Sequence, residues 1–210
     1  MPGDLRSTFG GIDIYLFDQL LKGRITTAQR VMDAGCGGGR NLAYLLQAGF
    51  DVRGFDIDPG AVNEVRRLAA TLAPHVASES FRVGSLADPP FERGSADVVI
   101  SSAVLHFAQD DAEFTSMVAG TWSLLAPGGL FFCRLASTIG IERLVPDVAP
   151  GQRYSRLPDG SYRYLVDEAM LVRLTRELGG HLLDPLKTTV VQGQRAMTTW
   201  VVGKAGPRSR

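Results

Sequence analysis

Two hydrophobic rhythms take turns along this chain: compact apolar runs, and stretches in which apolar residues return every three or four positions. The first reads as strand and the second as amphipathic helix. Residues 31–34 predict a short buried strand, and residues 41–48 a helix with Leu42, Leu45 and Leu46 on one face, stopped by Gly49. Residues 51–56 predict a second strand. Asp58 and Pro59 then supply an N-cap and a first helical residue, and Val62, Val65, Ala69 and Leu72 recur at helical spacing until Pro74. Residues 81–84 predict a third strand, and residues 96–101 a fourth that is apolar enough to be buried on both faces. Asp110 or Asp111 caps a helix running to about Leu125, with Phe114, Met117, Val118 and Thr121 inward. Pro127-Gly128-Gly129 predicts a turn ahead of a fifth strand at residues 130–135. A helix after Asp167 carries Met170, Leu171, Leu174 and Leu178. Two final strands, near 181–191 and 195–203, join around Gln192-Gly193-Gln194 as an antiparallel hairpin.

This alternation predicts an α/β fold: a doubly wound, mostly parallel seven-stranded sheet with a C-terminal antiparallel hairpin, in a single domain over residues 1–210. Two segments stand outside the alternation. Residues 9–23 predict an N-terminal helix that buries Ile12, Leu16 and Leu20 and leaves Tyr15 and Gln19 free to vary. Residues 137–164 form an insertion with turn signals at Pro150-Gly151 and Pro158-Asp159-Gly160. A C-terminal helix and hairpin fill residues 165–204.

Charge narrows the chemistry. Lysine plus arginine and aspartate plus glutamate number 22 each, for a formal net charge of zero. A nucleic acid partner is therefore not expected, because phosphate binding calls for a basic excess. Cys36 and Cys133 stand alone, without the ligand spacing of a zinc site or a disulfide framework, so no metal is expected. No apolar run reaches the roughly eighteen residues of a membrane span, and the opening residues lack the order of a signal peptide. The cytoplasm is the expected home, with no membrane partner.

Residues 31–41, VMDAGCGGGRN, place a glycine-rich loop at the end of the first strand, where an open parallel sheet binds its ligands. A dinucleotide fingerprint, G-x-G-x-x-G, would need a glycine where Arg40 stands. The pattern that fits is D-x-G-x-G-x-G, on Asp33, Gly35, Gly37 and Gly39.

That pattern resembles motif I of the class I methyltransferases, which use S-adenosylmethionine. Three further segments are similar to the family's later motifs: GFDIDPGAV at 54–62, GSLADPPFERGSADVVISSAVLHF at 84–107, and LLAPGGLFFCR at 124–134. Together the motifs cover roughly residues 30–135. The resemblance implies S-adenosylmethionine as cofactor and S-adenosylhomocysteine as product. It implies that Asp33 faces the ammonium, with a loop-bracing carboxylate as the alternative, and that Asp56 accepts hydrogen bonds from the ribose hydroxyls. The implied cofactor-binding set is Asp33, Gly35, Cys36, Gly37, Gly39, Asp56, Ile57, Ser85, Leu86 and Ser101. Many relatives carry an acid directly after the glycine that Gly84 matches. Here Ser85 and Leu86 follow, so adenine selectivity falls to Ser85, the backbone or Asp88.

The tetrapeptide Asp88-Pro89-Pro90-Phe91 matches the base-gripping motif of DNA amino-methyltransferases but precedes the fourth strand instead of following it. It reads as a rigid proline turn. On the acceptor side, His106 just past the fourth strand is the candidate catalytic base, with loop packing as the alternative. Tyr15, Arg134 and His106 make up the expected substrate side. Arg143, Arg153, Arg156 and Arg163 of the insertion suit an anionic acceptor or merely solvate a loop. GGGRNLAYLLQAGFDVRGFD is also similar to a stretch of tellurite-resistance and thiopurine-type methyltransferases. The expectation is methyl transfer to a small-molecule acceptor; the alternative is a catalytically silent sensor or scaffold that binds S-adenosylmethionine.

Overall fold

The computed structural model of the chain describes residues 4–206. Its central sheet runs in the order β3 (Phe81–Val83), β2 (Asp51–Asp56), β1 (Arg30–Ala34), β4 (Ala96–Ser102), β5 (Leu125–Ser137), β10 (Arg195–Lys204), β8 (Gly180–Leu182). The first five strands are parallel; β10 lies antiparallel to β5. The chain winds outward from β1 to β3 and then resumes on the other side of β1 with β4. That reversal opens a crevice at the carboxyl ends of β1 and β4.

Alternation along the strands feeds two cores. Val31, Val98, Ile100 and Phe132 face α2 (Ile14–Leu21), α3 (Ala43–Gln47) and α4 (Pro59–Leu72), meeting Leu16, Leu45, Val62 and Val65. Met32, Val99, Phe131 and Trp200 face α5 (Asp111–Ser123) and α6 (Glu168–Glu177), meeting Phe114, Val118 and Leu171. Burying each such side chain contributes about 1.5–3 kcal/mol. Asp58, Asp110 and Asp167 cap α4, α5 and α6 by accepting an amide N–H from the first turn.

Several elements depart from the expected boundaries. The N-terminal helix is two helices, α1 (Leu5–Phe9) and α2, because Gly10 takes φ +60° and Asp13 then caps a new start. Gln19 is not free to vary: it is 1% exposed, and its amide donates to Asp184 while its carbonyl accepts from Arg24. Helix α3 is only one turn long, since Asn41 and Leu42 belong to the loop before it. The Pro127-Gly128-Gly129 turn is absorbed into β5 as an irregularity, with Gly128 at φ +81°. The expected strand at 181–191 splits around Asp184-Pro185 into β8 and β9 (Lys187–Val191), both paired to β10, so the sheet has eight strands. The insertion holds its own hairpin, β6 (Tyr154–Arg156) and β7 (Tyr162–Tyr164). No helix among the described residues is long and apolar enough to cross a membrane.

Candidate cofactor cleft

A cleft of about 1140 Å³ opens at the reversal point, floored by Gly35 to Asn41 and walled by Asp56, Ile57, Ser85, Leu86, Ser102, Val104, Phe107 and Met117. Its loop is pinned from below. The amides of Gly35 and Cys36 both donate to the Phe55 carbonyl, at 2.8 and 3.0 Å. The Asp56 carboxylate grips the loop from the side: Oδ2 accepts from the Gly37 N–H at 2.9 Å and Oδ1 from the Asp58 N–H at 3.0 Å. Each carboxylate oxygen keeps a lone pair beyond these bonds.

The motif glycines are needed for different reasons. A Cβ on Gly39 would stand 2.8 Å from Val65 and Leu68, so this glycine lets α4 close on the loop. A Cβ on Gly35 would stand 2.5 Å from Val104. Gly37, at φ +51°, has nothing within 4 Å on its Cβ side and presents bare backbone to the cleft. Cys36 is buried, and burial holds its thiol protonated.

Asp33 lies beneath the loop at 1% exposure, and neither carboxylate oxygen has a hydrogen-bond partner in the protein. Burial raises its pKa to about 7; Arg40 pulls it down and Asp56 pushes it up by smaller amounts. A buried carboxylate without a donor is costly unless something brings one.

The comparisons with known proteins agree with this geometry. Residues 32–133 match the family described as Methyltransferase domain. An uncharacterized methyltransferase of Synechocystis sp. is 34% identical over 107 residues, 51% of this chain and 47% of that protein. A tRNA U34 carboxymethyltransferase of Idiomarina loihiensis is 29% identical over 185 residues, 85% of this chain and 54% of that protein. The crystal structure of magnesium protoporphyrin IX methyltransferase from Synechocystis, with bound S-adenosylhomocysteine, has the same fold. Its TM-score is 0.67 at 21% identity, covering 92% of this chain and 81% of that one. Residues 32–133 therefore carry a methyltransferase domain, and the chain is similar to methyltransferases on either side of it. It spans about half the length of the two curated relatives named here.

S-adenosylmethionine, the cofactor of such methyltransferases, fits the residues of this cleft. Gly37 leaves room for close approach and Asp56 has lone pairs left for ribose hydroxyls; Asp33 lacks a hydrogen-bond donor beneath the loop but does not itself line the cleft. Ile57 stands at the mouth at 71% exposure, and Leu86 forms the wall. Ser85 also lines the cleft, its hydroxyl accepting from the Ala87 N–H at 3.2 Å. Asp88 does not line the cleft, so the Asp88 reading of adenine selectivity is set aside. The proline turn packs instead: Pro90 covers Gly84, and Phe91 lies 6.2 Å from Phe55 under the Arg82 guanidinium.

Some sequence-derived site residues lie off the cleft. Ser101 is fully buried on the α5 side of β4, and Ser102, pointing the other way, is the serine that reaches the cleft. His106 is 4% exposed and outside the lining; its Nδ1 accepts the Ala136 N–H at 3.1 Å. Burial, aided by Arg163, lowers its pKa to about 3. Its place matches the packing alternative. Tyr15 and Arg134 also lie off the cleft, the guanidinium 5.4 Å from the Tyr15 ring centre. The Tyr15 hydroxyl is hydrogen-bonded to Thr189 at 2.7 Å. Among the insertion arginines, Arg153 is buried against Asp167 and the Leu165 carbonyl, and Arg163 lies over the cleft-lining Phe107 at 4.8 Å.

Sequence reasoning missed Asp13, which ties this region together. Its Oδ2 accepts from Arg134 at 2.9 Å and from Ser102 Oγ at 3.2 Å, while its Oδ1 accepts from the Tyr15 N–H at 2.9 Å. The signal was available: an acid two residues after Gly10-Gly11, in N-cap position. Ala103, directly after β4, holds φ +64° without being glycine. Backbone strain of that kind concentrates at ligand sites.

Proposed function

We propose that this chain transfers the methyl group of S-adenosylmethionine to a small-molecule acceptor by in-line displacement. The observation that carries the reading is the unpartnered Asp33 carboxylate beneath a glycine loop that Asp56 clamps. When bound, the cofactor supplies a methyl group on a sulfonium, whose charge disappears during transfer. Asp33 and Asp56 hold the amino-acid and ribose ends, Ile57, Ser85 and Leu86 hold the adenine, and the loop backbone fixes the depth. Leu86, Val104, Phe107 and Met117 give the remaining space an apolar lining. Holding the acceptor in line at close approach lowers the barrier without covalent help.

The cleft slightly exceeds the roughly 300–1,000 Å³ of a typical ligand pocket, which suits two reactants side by side. The balanced charge favours a small molecule over a polyanion. One named relative acts on tRNA, so the acceptor class needs its own test. A second reading, cofactor binding without transfer, draws on the lining residues, which include no histidine to serve as a base.

Calorimetric titration with S-adenosylhomocysteine, and with NAD in parallel, tests the cofactor. One-site binding of the first alone is expected; binding of NAD alone overturns the reading. Methyl-labelled S-adenosylmethionine offered with a metabolite extract and with bulk RNA tests the acceptor. Label in the small-molecule fraction is expected, label in RNA moves the acceptor to nucleic acid, and label in neither favours the binding protein.

A further inference from the structure

The arginines of the insertion divide by what they meet. Arg153 is spent on Asp167 and the Leu165 carbonyl. Arg156 pairs across the hairpin with Tyr162, and Arg163 pairs with Ser155. Successive strand residues point to opposite faces, so Arg156 shares a face with Tyr162 and the buried Tyr164, while Arg163 takes the other. That other face turns to the cleft. The Arg163 guanidinium lies 4.8 Å from the ring centre of Phe107, a lining residue that stays 55% exposed.

The charge of Arg163 has no match within the described residues. Its one side-chain hydrogen bond runs from Nη1 to the carbonyl of its neighbour Tyr162, and it forms no salt bridge there. Guanidinium carries five N–H donors in a fork that matches a carboxylate or phosphate, so most of that capacity stays open.

The pair is braced from both sides. On β7 the Tyr164 hydroxyl donates to Asp111 Oδ1 at 2.8 Å, and its ring stacks on Phe114 at 4.4 Å. The Gly151 N–H donates to Asp111 Oδ2 at 3.1 Å, which ties the insertion to the start of α5 a second time. On the β4 side the His106 ring packs edge-on against Phe107 at 4.7 Å, and the Ala136 amide holds that ring. An arginine that merely solvated a loop would reach into water. This one is held between a fixed strand and an exposed ring at the cleft wall.

We propose that Arg163 is the specificity-determining residue for the methyl acceptor, taking small molecules that carry an anionic group. The anion meets the Arg163 fork, and the apolar body of the acceptor packs on the free surface of Phe107. Arg163 stands outside the cleft lining, so the anion is a handle at the rim and a different atom, deeper in, receives the methyl group. The inference rests on the methyl-transfer reading above.

The test offers methyl-labelled S-adenosylmethionine and a metabolite extract to wild type, Arg163→Gln and Arg163→Lys. The labelled small molecules are then separated by anion exchange at neutral pH. Thermal denaturation checks that each variant folds, and calorimetry should find the Kd for S-adenosylhomocysteine within about twofold of wild type. With wild type the label is expected in anionic products, because a handle keeps its charge. Arg163→Gln is expected to cut that labelling roughly tenfold or more at limiting extract, the worth of a charge-assisted hydrogen bond, and Arg163→Lys restores part of it. Label in neutral or cationic products, or anionic label that Arg163→Gln leaves unchanged, overturns the proposal. A loss of S-adenosylhomocysteine affinity equal to the loss of labelling makes Arg163 a packing residue and overturns it too. Failure of the wild type to bind S-adenosylhomocysteine overturns the cofactor reading instead. Binding without any small-molecule label overturns the transfer reading, and this proposal with it.

Discussion

The Asp13 carboxylate meets the Arg134 guanidinium at 2.9 Å, and Asp13 has no exposed side-chain surface. This pair fastens the start of α2 to β5 beside the cleft. Removing one partner strands the other, which usually costs more than the pair contributes. Asp13→Ala is expected to cost about 2–4 kcal/mol, below the fully buried extreme because Arg134 keeps some solvent. Urea unfolding of Asp13→Ala, Arg134→Met and the double variant checks it. The double variant should lose less than the two singles added together; strict additivity would mean the pair is not coupled.

Asp33 makes stability depend on pH in an unusual direction. In the folded chain its pKa is raised to about 7 by burial, from an ordinary 3.8. Between those values the native state holds a proton that the unfolded chain has released, so stability falls as pH rises through that window. By pH 8 the buried charge costs roughly 4 kcal/mol. Asp33→Asn should therefore be more stable than wild type at pH 8 and nearly equal to it at pH 4. Denaturant midpoints at both pH values decide it, and a gap independent of pH would refute the burial argument.

Gly37 and Gly39 separate folding from binding. Gly37→Ala meets no neighbour, so it should cost only about 1 kcal/mol of left-handed backbone strain. Its methyl group enters the cleft, and affinity for S-adenosylhomocysteine should fall by roughly tenfold or more. Gly39→Ala collides with Val65 and Leu68 and should cost about 2–4 kcal/mol in stability. Melting curves and calorimetry on the two variants would show the contrast; similar stability losses would count against it.

His106 holds the Ala136 amide, so His106→Ala should cost about 2–3 kcal/mol through an unpaired N–H and a small cavity. Affinity for S-adenosylhomocysteine should stay within about twofold. The buried ring stays neutral down to about pH 3, from an ordinary 6.5. The unfolded chain takes up that proton first, so the ring's share of stability is lost as pH falls through that window. A variant with normal stability and lost turnover would return His106 to the chemistry.

Asp56→Ala removes the acceptor of the Gly37 and Asp58 amides as well as the expected ribose partner. Affinity for S-adenosylhomocysteine should drop by roughly tenfold or more, with the fold retained. Unchanged affinity would put the ribose elsewhere.

The strand and helix order between β1 and β5, and the glycine loop between Asp33 and Asp56, were legible from the chain alone. Each depends on residues close together in sequence: alternation along a strand, a cap before a helix, glycines at fixed offsets. The polar hub was not legible. Asp13 is 89 residues from Ser102 and 121 from Arg134, and only the docking of α2 over β4 and β5 brings them together. Whether Ser101 or Ser102 reaches the cleft depends on which face of β4 the helices leave open. His106 stands where a base was expected, but the Ala136 amide on β5 claims its ring. Local pattern sets which residues stand at the strand ends, while side-chain direction there is set by partners that packing supplies from far along the chain.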